Sequence, residues 1–212
     1  GNRPITAEEM AHARENWDFL REKMNGNVGG FPMDNQERSA LDDTPEQREA
    51  LYERLWKRGG FNFFLELYSD IATSEEANLS LADFVRAKIR EIVDDPETAE
   101  KLLPDFFVIT KRPILENGYF ETYNRDNVSL IDLREDPIER FTETNVVTRS
   151  GEHPIDMLVL ATGYDAISGS MLRLNPKGRG GKSLRERWTD RFHNYLGITI
   201  NDFPNMFMIH GP

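Results

Sequence analysis

The chain has no cysteine among its 212 residues, which excludes disulfides, thiolate metal sites and a cysteine nucleophile. It has no apolar run near the ~20 residues that a membrane-spanning helix needs. A G-x-G-x-x-G following a strand is missing too, so the turn that cradles dinucleotide phosphates at a helix N-terminus is not encoded here. The four histidines, His12, His153, His193 and His210, share no metal-ligand spacing, and no metal site is expected. Basic residues are in deficit, 26 Lys and Arg against 37 Asp and Glu for a net charge of -11, which disfavours a phosphate backbone as partner. Initiator methionine, signal peptide and targeting tail are all absent. Together with the missing cysteines, this makes the cytoplasm the expected location.

What is present is core material: 13 Phe, 6 Tyr and 3 Trp, enough for a folded chain rather than a solvated tail. The charge is uneven. Residues 1–106 hold 13 basic and 23 acidic side chains, whereas residues 107–212 hold 13 and 14. The texture changes at the same place.

The first half reads as helices. Thr6 with Glu9 forms a capping box, and the helix it opens is expected to run to about Asn25-Gly26, with Met10, Trp17, Leu20 and Met24 as one apolar stripe. Gly29-Gly30 reads as a plain connector. Thr44-Pro45-Glu46-Gln47 is a second start, stopped by Gly59-Gly60, with Leu51, Leu55 and Trp56 facing inward. Phe61–Asp70 reads as a short aromatic helix and Leu79–Val93 as a longer one. Asp94-Asp95-Pro96 ends that helix and caps a last turn, Glu97–Leu102. The acidic excess reads as solvated helix faces and caps rather than as a docking surface for a basic partner.

The second half reads as strands: Val128–Asp132, Ile138–Thr142, Val146–Arg149, Ile155–Ala161 and Phe207–His210. The run Ile155–Ala161, IDMLVLA, has little alternation and suits a strand buried on both faces. Leu184–Trp188 reads as a helical turn. The glycine loop Lys177–Lys182, KGRGGK, lacks the phosphate-loop pattern and reads as a mobile surface segment. Both ends are expected to be cut, since the chain stops at Gly211-Pro212 just where an open α/β sheet normally carries ligand contacts.

Several strings in this half carry a resemblance. Asp156–Gly163, DMLVLATG, followed by Tyr164-Asp165, resembles the D-x-x-x-x-A-T-G stretch of two-dinucleotide flavoproteins. Thr110-Lys111-Arg112-Pro113, Tyr119-Phe120-Glu121, Asn124-Arg125-Asp126-Asn127-Val128, Tyr195-Leu196-Gly197 and Phe203-Pro204-Asn205-Met206-Phe207 resemble, in that order, the Baeyer–Villiger monooxygenases. The resemblance implies an α/β fold in which residues 1–106 are a helical insertion of the NADP domain, 107–155 the end of that domain, and 156–212 part of the FAD domain. It implies FAD and NADP(H) as cofactors, and a ketone and O2 as substrates. The reaction would be oxygen insertion through a C4a-peroxyflavin, giving an ester or lactone. The N- and C-terminal segments of the same enzyme lie outside the chain, which is expected to be inactive alone.

By the same resemblance Arg112 is the active-site arginine. A permanent guanidinium suits the task of stabilising a developing anion, and Pro113 biases Arg112 toward extended backbone. Lys111 corresponds to a residue on the 2′-phosphate side of NADP, a role suited to a flexible point charge. Ala161, Thr162 and Gly163 correspond to a segment beside the bound cofactors, where small residues permit close approach. Asp126 and Asp156 read as structural, the first as a turn residue bonding its own backbone, and Asp165 as a turn or capping residue. His153 is expected in a hairpin turn, and the tryptophans are expected to serve packing. Two alternatives stay open: an N- or S-oxygenating flavin monooxygenase, and a truncated, non-catalytic protein whose acidic helices dock a partner.

Overall fold

The computed structural model describes residues 4–27, 29–34, 36–111, 114–115, 117–163, 165–209 and 211. The chain divides into two compact units. The first is Gly1–Glu139 with Thr148–Ser150, and the second is Arg140–Val147 with Gly151–Pro212.

The first unit is helical: α1 (Ala7–Glu15), α2 (Trp17–Asn25), α3 (Pro45–Arg58), α4 (Asn62–Leu65), α5 (Glu75–Ile92) and α6 (Pro96–Leu102). Local chemistry sets most of the starts. Thr6 with Glu9 and Thr44 with Gln47 both close reciprocal capping boxes. Ser74 accepts from the Ala77 amide to open α5, and Asp95 accepts from the Thr98 amide at 2.8 Å to open α6. The Thr98 hydrogen bonds hold the Asp95 carboxyl below its ordinary pKa. The acidic excess is spent in such caps and in ion pairs, among them Lys88–Glu53 at 2.8 Å and Arg90–Glu100 at 2.6 Å.

α3, α4 and α5 enclose the core, where Leu51, Tyr52, Leu55, Phe63, Tyr68, Ile71 and Leu81 are buried. Tyr52 and Tyr68 meet edge to face at 6.0 Å, as do Trp56 and Phe63 at 5.4 Å. A smaller cluster of Ile89, Val93 and Ala99 joins the end of α5 to α6.

Three helical expectations change. The helix opened by Thr6 breaks at Asn16, whose side-chain amide donates to the His12 carbonyl oxygen at 2.9 Å and competes with the helix ladder. Neither α1 nor α2 buries a residue, and Trp17 is 53% exposed, so its stripe is not covered. The aromatic helix expected over Phe61–Asp70 is a single turn, Asn62–Leu65, followed by a chain of turns. α5 starts four residues before Leu79, because Ser74 supplies the cap.

The only sheet among the described residues has three strands in the order β1 (Ile138–Phe141), β2 (Asn145–Thr148), β3 (Glu152–Pro154). β2 and β3 are antiparallel, with Asn145 opposite Pro154. His153 therefore lies in a strand, not in the turn. In the second unit, α7 (Gly169–Leu174) and α8 (Leu184–Arg187) are held by Leu184, Trp188, Ile200, Phe203 and Met208. The Trp188 indole donates to the His193 carbonyl oxygen at 3.0 Å. The glycine loop is a pinned turn. Gly178 donates to the Lys182 carbonyl oxygen and Arg179 to that of Asp202, each at 2.8 Å. A Cβ on Gly178 would strike the Asp202 carbonyl oxygen.

Three expected strands do not form. Val128–Asp132 ends in turns instead: the Val128 amide donates to the Arg125 carbonyl oxygen, and the Asp132 carboxylate accepts from the Arg134 amide. In Ile155–Ala161 the Ile155 amide donates to the Thr144 carbonyl oxygen at 2.8 Å, but no strand is assigned among the described residues, and Val159 is 75% exposed. Asp156 therefore opens no strand here. In Phe207–Ile209 only Met208 turns inward, and His210 lies outside the described residues. No described helix is long and apolar enough to cross a membrane.

Candidate functional site

In the first unit the chain leaves α6 at Leu102 and is fastened twice before it reaches Lys111. The Arg86 guanidinium on α5 donates through Nε and Nη2 to the Pro104 carbonyl oxygen, both at 3.1 Å. Asn78, also on α5, bonds Val108 at both its amide and its carbonyl. Thr110 closes a turn onto Phe107, its amide at 3.2 Å and its hydroxyl at 2.6 Å from the Phe107 carbonyl oxygen.

Lys111 emerges from that turn exposed, its Nζ 4.1 Å from the centre of the Phe106 ring. Among the described residues no carboxylate pairs with it. It lies on the wall of an open cleft of about 980 Å³, with Trp56, Phe106, Ile114, Tyr119 and Arg134 among the other lining residues. Arg134 is already engaged, with Asp132 at 2.7 Å and Asp105 at 3.6 Å. That guanidinium holds the Asp132 carboxyl down to about 2. Tyr123 donates to the Tyr119 hydroxyl at 2.9 Å, and partial burial pushes its phenol up to about 12. Lys111 is thus a cation with no carboxylate partner among the described residues, on a wall that mixes aromatic and apolar side chains with charged ones such as Lys57, Asp105, Glu121 and Arg134. An anionic group with a flat ring system would find both kinds of contact there.

Arg112 and Pro113 lie outside the described residues. Ala161, Thr162 and Gly163 belong to the second unit and are exposed. Gly163 has φ +82°, a left-handed conformation natural to glycine, and a Cβ there would meet nothing within 4 Å. Asp165 packs against Gly169 at the start of α7, in keeping with a structural role. Tyr164 is outside the described residues. Among the described residues no cluster of His, Asp and Glu could hold a metal ion.

Two polar residues of this region escape sequence reasoning. Asn124 does not bond its own turn. It accepts from the Asp94 amide at 2.9 Å and donates to the Ile92 carbonyl oxygen at 2.6 Å, tying the NRDNV segment to the end of α5. Asn78 left a signal: it interrupts an apolar stripe at the spacing of Leu81, Val85 and Ile89, where only a satisfied polar group is tolerated.

No family model matches the chain. Individual relatives match along its whole length. It is 42% identical over 215 residues to a Baeyer–Villiger monooxygenase of Pseudooceanicola batsensis. It is 37% identical over 214 residues to cyclohexanone 1,2-monooxygenase of an Acinetobacter species, and 40% identical over 215 to a phenazine N-monooxygenase of Lysobacter antibioticus. In each case all of the chain is covered but only 39% of the relative. Among solved structures, OTEMO in complex with FAD and NADP superposes with a TM-score of 0.95 at 37% identity, covering 100% of the chain and 39% of that protein. An open structure of cyclohexanone monooxygenase gives 0.94 at 39% identity, covering 100% and 42%. The fold is therefore that of one part of a two-dinucleotide flavoprotein.

Proposed function

We propose that the chain belongs with the Baeyer–Villiger monooxygenases, being similar in sequence and fold to about two-fifths of such enzymes, and that it is part of an FAD- and NADPH-dependent enzyme that inserts one atom of O2 into a ketone. The product is an ester or lactone, and the second oxygen atom leaves as water. In this reading residues 1–106 are a helical insertion of the NADP domain, 107–155 close that domain, and 156–212 are part of the FAD domain. The 212 residues contain no dinucleotide phosphate turn, so they do not make either cofactor site alone.

The observation that carries the reading is similarity along the whole of this chain, combined with an exposed Lys111 that has no carboxylate partner among the described residues and lies on the wall of a cleft with aromatic side chains. Lys111 holds the 2′-phosphate side of NADP(H) as a point charge. Ala161, Thr162 and Gly163 let the backbone lie close to a bound cofactor, and the open space at Gly163 fits that role. Arg112 presents permanent positive charge where negative charge develops during oxygen transfer. When bound, the cofactors supply the electrons and the activation of oxygen.

Replacing Lys111 with alanine in the complete enzyme should raise the KM for NADPH by roughly 10–100-fold, the worth of one charge-assisted contact. The KM for NADH, which lacks the 2′-phosphate, should not move. Steady-state kinetics with both nucleotides checks this, and equal effects on the two would remove Lys111 from the phosphate.

A second reading has an observation of its own. The similarity to a phenazine N-monooxygenase is as extensive as that to the ketone enzymes. N-oxygenation is therefore the alternative to be tested against ketone oxygenation.

A further inference from the structure

We propose that Asn78 is the positioning residue of Lys111, acting through a strained turn that it clamps. The proposal rests on the phosphate-binding role assigned to Lys111 above.

Asn78 is 5% exposed in the second turn of α5. Its Nδ2 donates to the Ile71 carbonyl oxygen at 2.8 Å and to the Val108 carbonyl oxygen at 2.9 Å, and its Oδ1 accepts from the Val108 amide at 2.9 Å. A carboxamide has the donor and acceptor of a peptide, so Asn78 grips Val108 as a neighbouring strand would, but at one residue only. Two bonds to one residue fix its rotation as well as its position. The bond to Ile71 fixes the carboxamide itself, because the flipped amide would face Ile71 with an acceptor instead of a donor.

The next residue, Ile109, has φ +75°. A β-branched residue in the left-handed region is a genuine outlier, and it persists only where both flanks are held. Here Asn78 holds Val108 and the Phe107 carbonyl oxygen holds Thr110. Released from the clamp, Ile109 relaxes to negative φ and redirects the chain two residues before Lys111. Asn78 neither lines the cleft nor contacts Lys111, but the Val108 that it grips and the neighbouring Ile109 do line it, so its effect on ligand passes through this segment.

The test uses the complete enzyme and NADP+ as the probe. Asn78→Ala should weaken NADP+ binding by at least about tenfold in calorimetric titration, and Asn78→Ala with Ile109→Gly should recover part of the loss, because glycine adopts φ near +75° without strain. Val93→Ala, in the separate cluster at the end of α5, serves as a control that lowers the melting temperature without touching the turn, and its NADP+ affinity should be that of the parent. If Asn78→Ala binds NADP+ as Val93→Ala does, Asn78 is a folding residue and the proposal is overturned. Amide-resolved hydrogen exchange on the unsubstituted enzyme is independent of how any variant folds: the Val108 amide should be protected, and free exchange there also overturns the proposal. An unsubstituted enzyme that does not bind NADP+ while its Val108 amide is protected would sink the parent reading of Lys111, and this proposal with it.

Discussion

Arg112→Ala in the complete enzyme should leave reduction of the flavin by NADPH within about twofold of the parent and cut ketone oxygenation by roughly 10²–10³-fold, the cost of removing one preorganised donor from a developing anion. The asymmetry follows from chemistry. Hydride transfer to a flavin does not need a cation at the site of oxygen transfer, whereas the addition step builds negative charge there. Guanidinium is suited to this because it stays charged at every working pH and presents a planar fork of donors. Anaerobic stopped-flow reduction and product chromatography read the two halves separately. Undiminished ester formation would remove Arg112 from the catalytic role, and loss of both halves would assign it to cofactor binding.

The largest expected effect on stability is at Leu81. It is 0% exposed in the middle of α5 and packs in one cluster with Tyr52, Leu55 and Ile71. Leu81→Ala deletes buried methyl groups and leaves a cavity, at a cost of about 2–5 kcal/mol. At about 2–4 °C per kcal/mol for a chain of this size, the melting temperature should fall by roughly 4–20 °C. Val159→Ala offers the contrast. Val159 is equally apolar but 75% exposed in this chain, so the 212 residues alone should lose less than about 0.5 kcal/mol. Thermal unfolding of both variants checks the pair. A drop at Val159 matching that at Leu81 would mean that the Ile155–Ala161 run is packed after all.

That contrast also explains which parts of the fold were legible in the sequence. Helix starts were, because a cap is a local event: Thr44 and Gln47 lie three residues apart and satisfy each other wherever the helix goes. The inner face of α3 was legible through its periodicity, Leu51 and Leu55 being buried as expected. The strands β1 and β2 were legible as well, being neighbours in sequence joined by a turn that closes on itself, where Thr142 accepts from the Asn145 amide. Strands that depend on distant partners were not. IDMLVLA has the composition of a strand buried on both faces, but a ladder needs neighbours, and only its first residue, Ile155, has a backbone partner of that kind among the described residues, the Thr144 carbonyl oxygen. Side-chain competition with the helix ladder, as at Asn16, was also invisible to an apolar stripe that continues through the break.

The candidate site divides in the same way. Lys111, Arg112 and Ala161–Gly163 were proposed through ordered motifs, not through any pattern of charge or periodicity. The Asn78–Val108 clamp was missed because its partners are 30 residues apart, and a side-chain clamp on a single residue has no period. The phenazine N-monooxygenase match marks a different limit: similar identity over the same length accompanies two named chemistries in the relatives. Similarity of this extent therefore does not assign the substrate class.

The complete enzyme should be given NADPH, 18O2, and a cyclic ketone or an aromatic N-heterocycle in parallel, with mass spectrometry of the products. Lactone carrying a single 18O atom is the predicted result. Unlabelled ketone recovered beside an 18O-labelled N-oxide would contradict ketone oxygenation and leave N-oxygenation in its place.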